Sequence, residues 1–502
     1  MRKIRKVFII IIIVLALALN YTAVFAAPPE PPNGEMQSQN GGTPPEKPNG
    51  EEPPDKPDGN GEPPGENGSA NVSHTGATEI STDATNSESS YTSTTGSQNA
   101  LLVTGGTSTI ENPTVEKSGD SDGDNSDFYG TNAAVLVKEG TLNIKGGTVT
   151  TNGSHANGVF AYSNGTINIS DTNIKTTSNN SGAIMVTGGG TLTANNVTAE
   201  TNGNSSAPIR SDRGGGDLTI NGGSYTSHGT GSPVIYSTAN ITVNDSNLTS
   251  TASEGVVVEG KNSVTLNNVT MESTNTKLNG NSETYKSIFI YQSMSGDADV
   301  GTSSFSAKDS SILNNKGDII FVTNTSTVIE LENNEIINND TDGAFLRVSA
   351  AKWGTTGSNG GNVVLNAKNQ KIDGDILVDN ISTLDLSLSN GSSYTGTINS
   401  ENTAKTINVS LDSTSSITLT GDTYITSLSN EVSDNSNINF NGYTLYVNGD
   451  ALTSSNINTT SINNIEKTSL LKTDYILPIV IAVAIIIIVL IIKRLNKKDN
   501  IK

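Results

Sequence analysis

Between Gly140 and Ser273 one short phrase is written six times. It reads apolar, any residue, apolar, two turn residues, two small or polar residues, then apolar. The apolar positions are Leu142/Ile144/Val149, Ile167/Ile169/Ile174, Leu192/Ala194/Ala199, Leu218/Ile220/Tyr225, Ile241/Val243/Leu248 and Val264/Leu266/Met271. Successive copies start 25, 25, 26, 23 and 23 residues apart. A fixed period of this size belongs to stacked repeats, each too small to bury its own apolar face. Residues two apart are apolar, which is strand and not helix periodicity. The turn residues between them are Lys145-Gly146, Ser170-Asp171, Asn195-Asn196, Asn221-Gly222, Asn244-Asp245 and Asn267-Asn268. Gly, Asn and Asp accept the left-handed backbone of a sharp bend. A bend at the same place in every copy lays each strand over the one before it.

The sequence therefore predicts an all-β fold, a right-handed parallel β-helix solenoid of roughly 14–16 coils. The β-region is expected over residues 71–455. The acidic insertion Gly119 to Tyr129 interrupts it, and so do insertions near 275–286 and 350–361. The phrase returns at Phe305/Ala307/Ile312, Ile329/Leu331/Ile336 and Leu365/Ala367/Ile372, then at Leu386/Leu388 and Ile407/Val409 with shorter turns. With no Cys and 5% aromatic residues, the chain suits a narrow core of stacked aliphatic rows better than a wide globular one. Disulfides and Cys-based zinc sites are excluded.

The flanks read differently. Residues 1–26 have the form of a signal peptide: Arg2, Lys3, Arg5 and Lys6, an apolar run from Val7 to Leu19, then Val24-Phe25-Ala26 before the expected cut. A retained membrane anchor is the competing reading. Residues 27–70 hold 12 of the 16 prolines among Gly, Glu and Asn, and are expected to be a disordered acidic tail. Residues 456–474 read as a polar stalk. Residues 475–492 form an 18-residue apolar run, long enough for one C-terminal transmembrane helix. The basic residues 493–502 place that end in the cytosol and the ectodomain outside. Setting aside four basic residues of the signal, five of the tail and Asp499 leaves 20 basic against 49 acidic residues, about −29. That charge excludes nucleic acid as a natural partner and favours cations or basic or neutral surfaces.

Four features are candidate sites. Asp120, Asp122, Asp124 and Asp127 alternate along an insertion, as hard-cation ligands do. Their first three match the opening of a Ca²⁺ loop, although Asn125 stands where glycine is expected and no Glu closes the loop. A solvated acidic insertion is the alternative. Second, a run between the phrases is apolar at both parities: Ala134 to Val137, Val159 to Tyr162, Ala183 to Val186, Pro233 to Tyr236. If Val135, Val159, Ile184, Ile209 and Val234 point inward, then Leu136, Phe160, Met185, Arg210 and Ile235 form an outward row. Such a stripe is either a partner-binding surface or a bed for covering loops. Third, the only tryptophan, Trp353, sits in an insertion beside Arg347 and Lys352, where it could stack on a sugar or pack locally. Arg210, Asp212 and Arg213 form a further charged group at a bend, either an ion-pair patch or the acid–base set of a polysaccharide lyase. The histidines, His74, His155 and His228, are scattered, and no catalytic triad, phosphate loop or paired-His metal motif is visible.

The run Ser126-Asp127-Phe128-Tyr129-Gly130-Thr131-Asn132-Ala133-Ala134, the Gly-Gly-Thr at Gly146, Leu386-Ser387-Leu388-Ser389-Asn390-Gly391-Ser392 and Asn441-Gly442-Tyr443-Thr444-Leu445 carry a likeness. Over about residues 100–449 the chain resembles the adhesin-like surface proteins of Gram-positive bacteria that contain a pectate-lyase-like right-handed β-helix. The resemblance implies a non-enzymatic cell-surface rod without a required cofactor, whose partners are glycans or proteins of a host or neighbouring cell. It maps no catalytic residue onto this sequence. A lyase or hydrolase on the same fold, and a plain structural spacer, are the alternatives.

Overall fold

The computed structural model describes residues 72–278, 282–293 and 295–453. The expected signal peptide, acidic tail, stalk, transmembrane helix and basic tail lie outside the described residues. Among the described residues, no helix is long and apolar enough to cross a membrane.

The chain winds into a parallel β-solenoid of right-handed type with about 15 turns. Stacked at the parallel-strand spacing, these extend about 70 Å. The repeated phrase supplies two of the three faces. Its first apolar position runs in register from Leu142 through Ile167, Leu192, Leu218, Ile241, Val264, Phe305, Ile329 and Leu365 to Leu386. Its last position forms a second row from Val115 through Val149, Ile174, Ala199, Tyr225, Leu248, Met271 and Ile312 to Ile336. All but Ile336 are buried in one continuous core, so each turn's apolar face is closed by its neighbours. The distal turns differ from expectation in one respect. Leu386 and Leu388 pair with Val409 and Leu411, not with Ile407 and Val409. The alternation of apolar residues at 407, 409 and 411 left both registers open in the sequence.

The bend between these faces has the backbone that the turn residues announce. Asn112, Gly146, Asp171, Asn196, Gly222, Asp245, Asn268, Asp309, Asn333, Asn369 and Asn390 stand at the same corner of successive turns with φ between 46 and 71°. At consecutive Asn and Asp corners the side chains bond from turn to turn: Asn268 Nδ2 donates to Asp245 Oδ1 at 2.7 Å, and Asn333 Nδ2 to Asp309 Oδ1 at 2.7 Å. Asp245→Val is expected to cost about 1–2 kcal/mol, because a branched Cβ opposes the left-handed conformation, whereas Asp245→Gly should cost less. Urea denaturation of both variants checks this. Equal losses would mean that backbone geometry is not what the position selects.

The third face is the apolar run between phrases. It includes Ile184–Thr187, Ile209–Ser211, Ile235–Ser237, Val256–Glu259, Lys286–Tyr291, Asp318–Thr323, Leu346–Val348 and Ile376–Val378, each paired in parallel with the next. Here the expected inward row needs a correction. Ile209 pairs with Ile235, and Arg210 with Tyr236. Ile235 is therefore a core residue with no exposed surface, and Tyr236 takes its place on the outer row. The turn from Ile209 to Ile235 has one residue more than the two before it. A one-residue slip exchanges the two faces of a strand.

Candidate functional site on the outer face of the third sheet

The outer row of the third sheet reads Leu102, Leu136, Phe160, Met185, Arg210, Tyr236, Val257, Phe289, Phe321, Arg347 and Leu377 along the solenoid. The acidic insertion, the Arg210 group and Trp353, which are far apart in sequence, all meet this one row.

At its first part the row is not an open stripe. Leu136, Phe160 and Met185 have no exposed surface and pack with Leu102, Ala133, Tyr162 and Tyr129 in a second apolar cluster outside the main core. The insertion covers them. The only α-helix among the described residues, Asp124–Tyr129, lies within it, and Gly130 closes that helix in the left-handed conformation. A Cβ at Gly130 would stand 2.8 Å from Leu136 Cδ1 and 2.9 Å from Phe160 Cγ, so glycine is needed for contact as well as for the turn. Asn99 Nδ2 donates to Gly130 O at 2.8 Å and Ala133 O at 2.9 Å, and Thr187 Oγ1 donates to Phe128 O at 2.7 Å. The Arg213 guanidinium sits 3.8 Å from the Phe128 ring centroid.

The four aspartates do not converge. Asp120, Asp122 and Asp124 are exposed. Asp120 Oδ1 accepts a bond from Ser154 N at 2.7 Å. Helix formation from Asp124 turns Asp127 under the insertion, where its Oδ2 lies 2.9 Å from His155 Nδ1. Among the described residues, no three His, Cys, Asp or Glu side chains are grouped to hold a metal ion. The alternating spacing suited an extended loop, and the short helix breaks it.

The middle of the row is ionic. Arg210 Nη2 donates to Asp212 Oδ2 at 3.0 Å, and Arg213 Nε to Asp297 Oδ1 at 2.5 Å. Asp127 faces Arg210 from the insertion, and burial raises its carboxyl against the opposing charges of Arg210 and His155. Arg210 Nη1 and Asp127 Oδ1 are both buried without a hydrogen-bond partner. One turn on, Glu259 accepts from Tyr236 Oη at 2.5 Å, from Tyr291 Oη at 2.9 Å and from Ser293 Oγ. Burial pushes both tyrosines well above their ordinary value; Tyr291 and then Glu259 add to the rise for Tyr236, and Glu259 adds to it for Tyr291. Glu259, Tyr236, Tyr291 and Asp297 do not stand out in the sequence. The signal is there in Val256-Val257-Val258-Glu259 and Ile288-Phe289-Ile290-Tyr291, two matching runs that each end in a polar residue at the same register.

Burial raises Asp212 to about 6, with Arg210 opposing and Asp297 adding to the rise. The unfolded carboxyl titrates near 3.9, so the folded chain holds this proton more tightly. Its contribution to stability is full below the unfolded value and is lost as pH rises through about 6. The stability of the native chain relative to Asp212→Asn is therefore expected to fall by about 2 kcal/mol between pH 4.5 and 7.5, since each tenfold difference in proton affinity is worth about 1.4 kcal/mol. Guanidinium denaturation at the two pH values measures it. A constant difference would show that Asp212 titrates as an exposed carboxyl.

Further along, Trp353 packs on the row and not into solvent alone. Its ring lies 5.1 Å from Phe289 and 5.3 Å from Tyr291, in a cluster with Val257, Phe321, Tyr236 and Ala351. Asn359 Nδ2 holds its loop by bonds to Ala351 O at 2.6 Å and Trp353 O at 2.9 Å. Arg347 pairs with Asp318 at 2.6 Å, and Lys352 with Glu283 at 3.0 Å.

Fold and site together define a parallel β-solenoid whose outer third face is roofed by two insertions joined through an ionic middle. No protein-family model, no curated protein and no solved structure matches the chain.

Proposed function

We propose that the chain is a bacterial cell-surface rod, held at the membrane by its C-terminal apolar run, which binds glycans or surface proteins of a host or neighbouring cell and performs no catalysis. The observation that supports this reading is the engagement of the charged groups on the third face. Arg210, Asp212, Arg213, Asp297 and Glu259 are each bonded within the chain, and Arg213 also lies over Phe128 of the acidic insertion. An acid–base pair committed in this way is a clasp for loops. The solenoid then presents long ladders of amides and hydroxyls to the outside, such as Asn195, Asn221, Asn244 and Asn267, bonded in series at 2.9–3.0 Å. Binding of the purified chain to glycan and matrix-protein arrays tests the reading, and an array without signal would leave only the spacer.

A polysaccharide lyase or hydrolase is the second reading. The unpartnered Arg210 Nη1 and Asp127 Oδ1 favour it, since two opposed polar atoms without partners suit a bound polar substrate. Unsaturated product from uronate polymers, abolished by Arg210→Ala, would establish it over the first.

A further inference from the structure

We infer that the outer face of the last turns carries a stacking site for an uncharged sugar ring, which rests on the glycan-binding reading and narrows it. The third face resumes at Thr423–Ile425 and Leu445–Val447, paired in parallel with Tyr424 opposite Tyr446. Both side chains point outward, while Thr423, Ile425 and Leu445 are buried. The two rings stack 4.7 Å apart and within 4° of parallel.

These rings floor a hollow of about 360 Å³ lined by Asn402, Tyr424, Ile425, Tyr446 and Gly449. Its walls are fixed. On one side Asn399 Oδ1 accepts from Thr403 N at 3.0 Å and Ala404 N at 3.2 Å, and Asn402 N donates to Asn399 O at 2.8 Å. On the other, Asn448 and Gly449 have φ of 49 and 86°, the paired positive values of a tight hairpin turn. The hollow is therefore shaped before any ligand arrives.

Its chemistry differs from that of the buried aromatic groups. The phenols of Tyr236 and Tyr291 are bound to Glu259, and Tyr394 Oη donates to Thr397 O at 3.0 Å. The Tyr424 and Tyr446 hydroxyls and the Asn402 amide form no hydrogen bond among the described residues. Aromatic faces and edges take the C–H surface of a pyranose, and free phenols and an amide take its hydroxyls. None of the five lining residues is charged, and a chain with net charge −21 repels polyanions. The ligand class is accordingly a neutral hexose polymer and not a uronate.

The test uses the full-length chain in detergent, titrated calorimetrically with cellohexaose, laminarihexaose, chitohexaose and polygalacturonate. At least one neutral hexaose is expected to bind, polygalacturonate is not, and Tyr424→Ala or Tyr446→Ala should weaken binding by about tenfold or more with an unchanged circular dichroism spectrum. Asn402→Ala, at an exposed loop position, gives a second reading should either tyrosine variant melt early. Unchanged affinity in these variants would overturn the stacking site and leave the glycan-binding rod standing. Preference for polygalacturonate would overturn the sugar class alone, whereas binding to matrix proteins but to no hexaose would overturn the sugar site and leave the surface-binding rod. A chain that binds neither glycans nor proteins would remove both proposals.

Discussion

Replacing Phe160 by alanine is expected to destabilise the fold by about 3–5 kcal/mol, the range for a large aromatic removed from a closed core. Phe160 lies outside the main core of the solenoid, where truncation of an exposed apolar residue would change stability by about 0.5 kcal/mol or less. The difference comes from the insertion above it, which leaves the ring no exposed surface. Gly130 stands against the same ring and cannot move closer to fill the space, because its own turn is fixed by Asn99. The loss should therefore be a retained cavity together with weaker seating of residues 119–133. Hydrogen exchange is the suitable measurement, since a solenoid need not unfold in one step. Protection should fall at amides 124–137 first. A variant as stable as the native chain, with unchanged exchange there, would mean that the insertion does not rest on the sheet and that the row is an open contact surface after all.

Arg210→Ala is expected to cost about 3–5 kcal/mol at pH 7 through a different mechanism. The Arg210 side chain is 13% exposed and that of its partner Asp212 is 6% exposed. Removing the cation deprives both Asp212 and Asp127 of the charge that opposes them, and leaves Asp212 beside Asp297. Uncompensated buried carboxylates respond by taking up protons, so the variant should regain part of its stability as pH falls, beginning above the native Asp212 value of about 6, which Arg210 holds down. Arg210→Met keeps most of the packing volume and separates the charge effect from the loss of atoms. Thermal melts of both variants at pH 5 and 7.5 distinguish the outcomes. Losses that are small and independent of pH would show that the ionic middle of the row is solvated and does not hold the roof.

The sequence discloses the winding of this chain more fully than its surfaces. The period, the corner residues and the aligned rows of Leu142, Ile144 and Val149 follow from local rules repeated many times, and each repetition corrects the others. Ile235 is misplaced by that reading because parity alone decides a strand's faces, and one additional residue in a loop reverses parity without altering composition. The covered state of Leu136, Phe160 and Met185 cannot be read from the row itself, which is apolar whether roofed or bare. Nor can the aspartate spacing reveal that residues 124–129 form a helix, since its main support is the tertiary contact beneath. The assembly of Arg210, Asp212, Asp297 and Glu259 depends on loops of unequal length meeting over one sheet, and periodicity carries no information about that. Trp353 is conspicuous in its loop from the sequence alone, and its ring contacts with Phe289 and Tyr291 show it seated on the same row.

The final strands have a separate consequence. Asp450–Leu452 runs antiparallel to Leu445–Val447, the single reversal among the described pairings. A parallel stack that simply stopped would offer its last rung's amides and carbonyls to any similar edge, and copies could then grow end on end into fibres. By turning Asp450–Leu452 back along Leu445–Val447, the chain covers that edge of the third face and blunts the template there.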